Sequence, residues 1–163
     1  MTQQAERTGT AIRRTLIVNA PRDRAFVVFA ERFGTWWPRD HHLGEADLAE
    51  AIIEPAAGGR LYERNVDGSE HDWGRVLVYE PPHRLVLAWH LQGDWKFNPD
   101  PAKASEVEVR FLAEGPDRTR VEFEHRHIER HDGAADVLRG VDASNGWSDN
   151  LGRYVAVTAP TAA

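Results

Sequence analysis

The chain has 163 residues, 41% of them hydrophobic and 28% charged, and a formal net charge of −6. That size and balance suit one globular domain with a substantial core and exclude a disordered chain. Cysteine is absent, which removes disulfides, thiolate catalysis and cysteine metal sites together.

Residues 1–10 read as a tail, 11–158 as one domain and 159–163 as a second tail. Ile12–Val18 is a first strand with Ile12, Leu16 and Val18 on one face. Asn19 is placed to cap a following helix, and Pro21 suits its first turn. Phe26, Phe29 and Phe33 recur at helical spacing, and Gly34 is read as the end of that helix. Trp36-Trp37-Pro38 then opens a polar loop through His41, His42 and Gly44. From Leu48 the period becomes two: Leu48–Glu54 and Gly59–Arg64 are strands around a turn at Pro55–Gly58, and Asp67-Gly68 marks a hairpin. Trp73–Tyr79 and Arg84–Leu91 follow, separated by Pro81-Pro82, with Leu85, Leu87, Trp89 and Leu91 on one face. Gly93–Ala104 is a proline-containing loop carrying Trp95 and Phe97. The runs from Glu106 to Phe111 and from Arg120 to His127 alternate strictly, as antiparallel strands with one solvated face do. After Asp132 the helical period returns through Ala134, Val137, Leu138 and Val141. Asn145-Gly146 interrupts it, and Trp147, Leu151, Tyr154 and Val155 form a last amphipathic helix.

Strand, helix, about six strands and helix, without βαβ alternation, define an α+β domain. A twisted antiparallel sheet wrapped around a C-terminal helix is the natural packing, and the space between them is expected to be a mostly apolar cavity.

Along this order the chain resembles a known family. Ala20-Pro21, Phe33-Gly34-Thr35-Trp36-Trp37-Pro38, Gly58-Gly59-Arg60-Leu61-Tyr62-Glu63 and Trp73-Gly74-Arg75-Val76 carry the resemblance. So do Glu80-Pro81-Pro82-His83-Arg84-Leu85, Trp89, Thr119-Arg120-Val121, Glu124-His125 and Gly146-Trp147. They are similar to bacterial activator of Hsp90 ATPase homolog 1-like proteins of the SRPBCC (START/Bet v 1-like) superfamily, over roughly residues 11–158. The resemblance implies the helix-grip fold: a curved seven-stranded antiparallel sheet, two short helices and a long C-terminal helix over a deep cavity. The START-like self-resistance proteins of enediyne clusters are also similar around the Trp-Trp-Pro, Gly-Gly-Arg and Glu-His segments. One of them sacrifices a backbone glycine, and Gly93 lies in a comparable strand-loop region.

The cavity is assigned to Trp36, Trp37, Tyr62, Trp73, Leu87, Trp89, Phe111, Phe123, His125, Trp147 and Leu151, with His42, Trp95 and Phe97 at its mouth. Each aromatic is equally compatible with plain core packing. His125 and His127, two apart on a strand, are expected to face inward together. His125 is the one candidate acid/base group. A histidine pair can also begin a metal site, which would need His71, His90 or Glu63 to converge, but no metal and no cofactor are assigned. Glu63 is expected to face water; facing inward it would need a partner such as Arg75 or His125. Ser69, Ser105, Ser144 and Ser148 read as turn or cap residues. No G-x-S-x-G, Walker, G-x-G-x-x-G or H-E-x-x-H pattern occurs.

The expected partner is a small apolar or aromatic molecule, carried, sequestered or neutralised by the cavity. The alternatives are a cyclase- or hydrolase-like enzyme on an aromatic or polyketide-type substrate, and an Hsp90-activator-like interaction domain. Lysine occurs only at Lys96 and Lys103, and an acidic surface repels phosphate backbones, so no nucleic-acid partner is expected. No apolar run has the length of a membrane span, and Met1–Gly9 lacks the apolar core of a secretory leader. A cytoplasmic monomer or weak homodimer without a membrane partner is expected.

Overall fold

A computed structural model describes residues 11–143 and 146–159. The expected tails at 1–10 and 160–163, and Ser144 and Asn145, lie outside the described residues.

Strand β1 (Ile12–Val18) leads into helix α1 (Arg22–Ala30) and the one-turn helix α2 (Phe33–Trp36). A meander follows: β2 (Leu48–Ile53), β3 (Arg60–Asn65), β4 (Glu70–Glu80), β5 (Arg84–Trp89), β6 (Ser105–Gly115) and β7 (Arg118–Arg126). Helices α3 (Ala134–Asp142) and α4 (Trp147–Thr158) close the chain. All seven strands form one antiparallel sheet in the order β1-β7-β6-β5-β4-β3-β2, so α1 and α2 carry the chain from one sheet edge to the other. This is the helix-grip arrangement. Register shifts interrupt the ladder within β2, β4 and the β6–β7 pair. Each inserts a residue on one strand and bends it, which curls the sheet.

The first helix is shorter than its phenylalanine spacing predicts. Pro21 is its N-cap residue, and Asn19 makes no cap hydrogen bond. The helix stops at Ala30, with the N–H groups of Glu31 and Arg32 both bonded to the Val27 carbonyl. Phe33 and Gly34 belong to α2 instead of ending α1. There a Cβ on Gly34 would come within 3.1 Å of the Ala51 carbonyl, so glycine lets α2 lie against β2.

Phe26, Phe29, Phe33 and Trp36 from the first two helices pack with Phe111 of β6 and Tyr154 of α4, ring centroids 5.0–5.9 Å apart. Polar ends of these rings are satisfied inside: Trp36 Nε1 donates to the Val28 carbonyl at 3.1 Å and Tyr154 to the Ala25 carbonyl at 2.7 Å. This half of the concave face is solid core. On the convex face, Glu108 accepts from Arg84 (2.5 Å), Arg110 (2.9 Å) and Arg126. Burial alone would raise its pKa, but the three guanidiniums hold it down to about 2.

Candidate functional site

The other half of the interior is not filled. A cavity of about 340 Å³ lies between the ends of β4 and β5, the loop after α2, and the α3–α4 junction. Its inner wall is built from Trp37, Trp73, Trp89 and Trp147. Their rings touch in sequence, with centroids 5.1 Å apart for Trp37 and Trp73, 5.9 Å for Trp37 and Trp147, and 5.6 Å for Trp89 and Trp147. Trp73 is the extra residue where Leu61 pairs with Gly74 and Tyr62 with Asp72, so the bulge sets which way the indole points.

Three of these indoles are held from behind by polar groups. Trp37 donates to the His41 carbonyl at 3.0 Å. Trp73 donates at 2.8 Å to Glu63, a carboxylate with 0% exposure. Glu63 faces inward, and its partners are neither Arg75 nor His125. Besides Trp73 it accepts from the backbone N–H groups of Leu43 (2.6 Å) and Gly44 (3.0 Å) and from Asn65 Nδ2 (2.8 Å). Burial pushes its pKa up, but these neutral donors outweigh that and leave it below the ordinary value. One buried carboxylate thus fixes both the Trp73 ring and the loop carrying His42.

Trp147 donates to His125 Nδ1 at 3.0 Å. His125, 0% exposed, is pushed down to about 3, first by burial and then by the nearby His131. It is therefore neutral near pH 7, and with Nδ1 accepting, its proton sits on Nε2. That N–H points to Ser105 Oγ, 2.7 Å away, whose own hydrogen then serves His131 Nε2 at 2.6 Å. His131 is also held down, to about 4, by burial and by His90. Both ring nitrogens of His125 are consumed, and the ring stands behind Trp147 and Trp89 rather than on the cavity. Ser105 is a buried bridge in a strand, not a turn or cap residue. The strand ends at Arg126, and His127 turns into the left-handed region (φ 63°), so it does not share the inward face of His125. Among the described residues no three histidine, aspartate or glutamate side chains gather as a metal would require.

The remaining assigned residues divide by position. Trp36, Leu87, Phe111, Phe123 and Leu151 lie in the packed core, outside the cavity wall. Tyr62 is on the convex face, because it alternates with inward Leu61 and Glu63; Arg60 stacks over its ring at 3.8 Å. At the mouth, His42 and Trp95 line the opening and Phe97 does not. Phe97 instead stacks on His90 at 5.3 Å with the Arg75 guanidinium above it. Trp95 is 42% exposed and adopts φ 62°, unusual for a bulky side chain. Its ring lies on Gly140 of α3, where a Cβ would come within 2.5 Å of it. His42 Nδ1 lies 2.8 Å from the Gly44 carbonyl; a carbonyl only accepts, so Nδ1 carries a proton. Gly93 packs on the backbone of Gly133, away from this cavity.

Sequence reasoning missed Asn150, Leu91, Leu43 and His41 on the wall. Leu91 shares the phase of Trp89 and was within reach of the period-two argument. Asn150 lies one turn after Trp147 on α4, and its polarity on an otherwise buried helix face was the available signal.

The model of the family described as "Activator of Hsp90 ATPase homolog 1-like protein" matches residues 19–158. A search of curated proteins finds no match. Among solved structures, an anthrahydroquino-γ-pyrone synthase, Txn09, complexed with SUM is 40% identical, with 90% of this chain and 96% of that chain covered and a TM-score of 0.65. The self-sacrificing resistance protein CalC from Micromonospora echinospora is 32% identical over 91% of this chain and 93% of that chain, with a TM-score of 0.68. Protein Ms6760 from Mycobacterium smegmatis shares the fold at 19% identity and a TM-score of 0.62, with 94% of this chain and 93% of that chain covered.

Proposed function

We propose that this chain, which belongs to the activator of Hsp90 ATPase homolog 1-like family, binds a planar aromatic small molecule against its tryptophan wall. The observation that carries the reading is the wall itself: four indoles meet at one cavity of about 340 Å³ beside a packed aromatic core. That volume falls within the roughly 300–1,000 Å³ of small-molecule sites. Indole faces grip flat rings by offset or edge contacts. Likeness to a synthase named for an anthrahydroquino-γ-pyrone supports the same ligand class. The test is quenching of tryptophan fluorescence by 2-hydroxyanthraquinone. Saturable quenching is expected, at least tenfold weaker in Trp147→Ala, while an unsaturable, Trp147-independent response would sink the reading.

A second reading, catalysis on such a molecule, draws on the 40% identity to the synthase. His42 is the residue to examine, since it lines the cavity, whereas both nitrogens of His125 are engaged behind the wall. On this reading His42→Gln abolishes turnover of an anthrahydroquinone substrate but leaves probe binding within twofold. Unchanged turnover would remove His42 from consideration.

A further inference from the structure

The cavity lining is not aromatic throughout. Trp37, Trp73, Trp89 and Trp147 are at most 7% exposed, whereas the side chains of Asp40 and His41 on the same lining are 88% and 29% exposed. Polar groups therefore stand on the solvent side of the cavity and indoles on its inner side.

The main chain of His41 is tied down at both ends. Its N–H donates to the Pro38 carbonyl at 3.1 Å, and its carbonyl accepts from Trp37 Nε1 at 3.0 Å. The imidazole meets the Trp37 ring edge-on, with centroids 6.0 Å apart. Two residues further on, the N–H groups of Leu43 and Gly44 end on buried Glu63, which anchors the loop beyond the histidine. The ring itself has no hydrogen bond among the described residues. Asp40 Oδ1 approaches Nε2 only to 3.9 Å, which is beyond hydrogen-bond range. His42, the other histidine of the lining, has Nδ1 engaged by the Gly44 carbonyl, and His90, His125 and His131 are buried and bonded elsewhere. His71, His83 and His127 lie off the lining.

Pockets of this kind use apolar contacts for affinity and a few placed polar groups for orientation. An imidazole within reach of solvent is served by water, and an occupant that covers it must supply an equivalent partner or lose affinity. A hydroxyl does so in either tautomer, because it donates to a bare ring nitrogen and accepts from a protonated one. A methyl group does neither. A carboxylate only accepts, and it would bring a second negative charge beside Asp40.

We propose that His41 is the specificity residue of the cavity, selecting an aromatic ring system that carries a neutral hydroxyl on the edge facing the opening. The ring system lies against the indoles, and the hydroxyl bonds to the imidazole. The proposal rests on the reading of the cavity as an aromatic-ligand site.

The experiment titrates tryptophan fluorescence with three probes of one skeleton at pH 7.5: 2-(hydroxymethyl)anthraquinone, 2-methylanthraquinone and anthraquinone-2-carboxylate. The first two are neutral and differ by a single oxygen. Wild type is expected to bind the hydroxymethyl probe about three- to tenfold more tightly than the methyl probe, the span of one hydrogen bond, and more tightly than the carboxylate. His41→Phe keeps a flat ring without nitrogens and should bring the first ratio to about one or below, with methyl-probe affinity held within about twofold. His41→Gln keeps a donor and an acceptor and should retain about half the ratio or more. Near-UV circular dichroism confirms the fold of each variant. A wild type that binds the methyl probe as tightly, or the carboxylate more tightly, would overturn the assignment and leave the aromatic site standing. So would a ratio unchanged in His41→Phe. If no probe quenches saturably, the aromatic-ligand site fails and the role of His41 with it. The wild-type ratios need no variant to fold.

Discussion

The two halves of the concave interior are built from the same kinds of side chain and end differently. In one, Phe26, Phe29, Trp36, Phe111 and Tyr154 interlock under α1 and α4. In the other, Trp37, Trp73, Trp89 and Trp147 line a space that no side chain enters. The difference lies behind the rings. The packed half is backed mainly by other apolar groups, with polar tips bonded to nearby helix carbonyls. The open half is braced by buried polar groups, Glu63 on one side and the His125–Ser105–His131 chain on the other. A ring that must stay in place beside an empty volume needs directional bonds, because contact from one side alone cannot fix its orientation.

Substitutions can break this contrast in graded steps. Trp36→Ala, in the packed half, is expected to cost about 3–5 kcal/mol of unfolding free energy by urea denaturation. A loss of under 1 kcal/mol would mean that half is not close-packed. Glu63→Gln comes next, at about 2–3 kcal/mol, since it replaces a charged acceptor of four N–H groups by an amide that turns a donor toward them. Its signature is a change in Trp73 fluorescence alongside the lower stability. Because the folded pKa of Glu63 lies below its ordinary 4.5, its contribution is complete above that pH and is lost as pH falls through the folded value.

Acid should reach the His125 side earlier. With folded values near 3 and 4 against an ordinary 6.5, both histidines are stabilising as neutral groups above pH 6.5. Below that the unfolded chain takes up protons that the folded one refuses, so stability falls with pH, by up to about 1.4 kcal/mol per unit for each histidine. Urea midpoints measured between pH 7 and 4.5 should show this slope, and His131→Asn should remove one proton's share of it. A slope unchanged by that substitution would mean that His131 is not the neutral, buried end of the chain.

The smallest expected effect on stability is at the mouth. Trp95→Ala removes an exposed ring held at φ 62°, so unfolding free energy should stay within about 1 kcal/mol of wild type. Dissociation of a bound aromatic probe should nonetheless quicken, measured by stopped-flow fluorescence. An unchanged rate would show that Trp95 does not cover the occupied cavity.

The elements themselves were legible in the chain. The strands at Ile12–Val18 and around Glu106–Phe111 and Arg120–His127 (the last ending at Arg126 in the structure), the Asp67-Gly68 turn and the two C-terminal helical segments follow from local periodicity and turn chemistry. So did the resemblance that implied the helix-grip fold. Within the site, Trp37, Trp73, Trp89 and Trp147 were named from the sequence, with His42 and Trp95 at the mouth. The same reading placed Trp36, Tyr62, Leu87, Phe111, Phe123, His125 and Leu151 in the cavity and Phe97 at its mouth, where the structure does not put them. It also turned Glu63 to solvent and gave Ser105 a turn. Alternation states which residues share a face; it does not state which part of that face another element covers.

Sequence alone therefore determined the order of elements, the antiparallel class and the stock of aromatic rings, because each of these rests on contacts or turn preferences within a few residues. Tertiary structure decided which rings line a cavity, which carboxylate is buried and which histidines are neutral. Those outcomes depend on bulges that reset the side-chain phase at Trp73 and on hydrogen bonds between residues about twenty apart, as between Leu43 and Glu63 and between His125 and Ser105. No local pattern encodes such pairings. They form only when the curled sheet brings its strands, loops and C-terminal helix together.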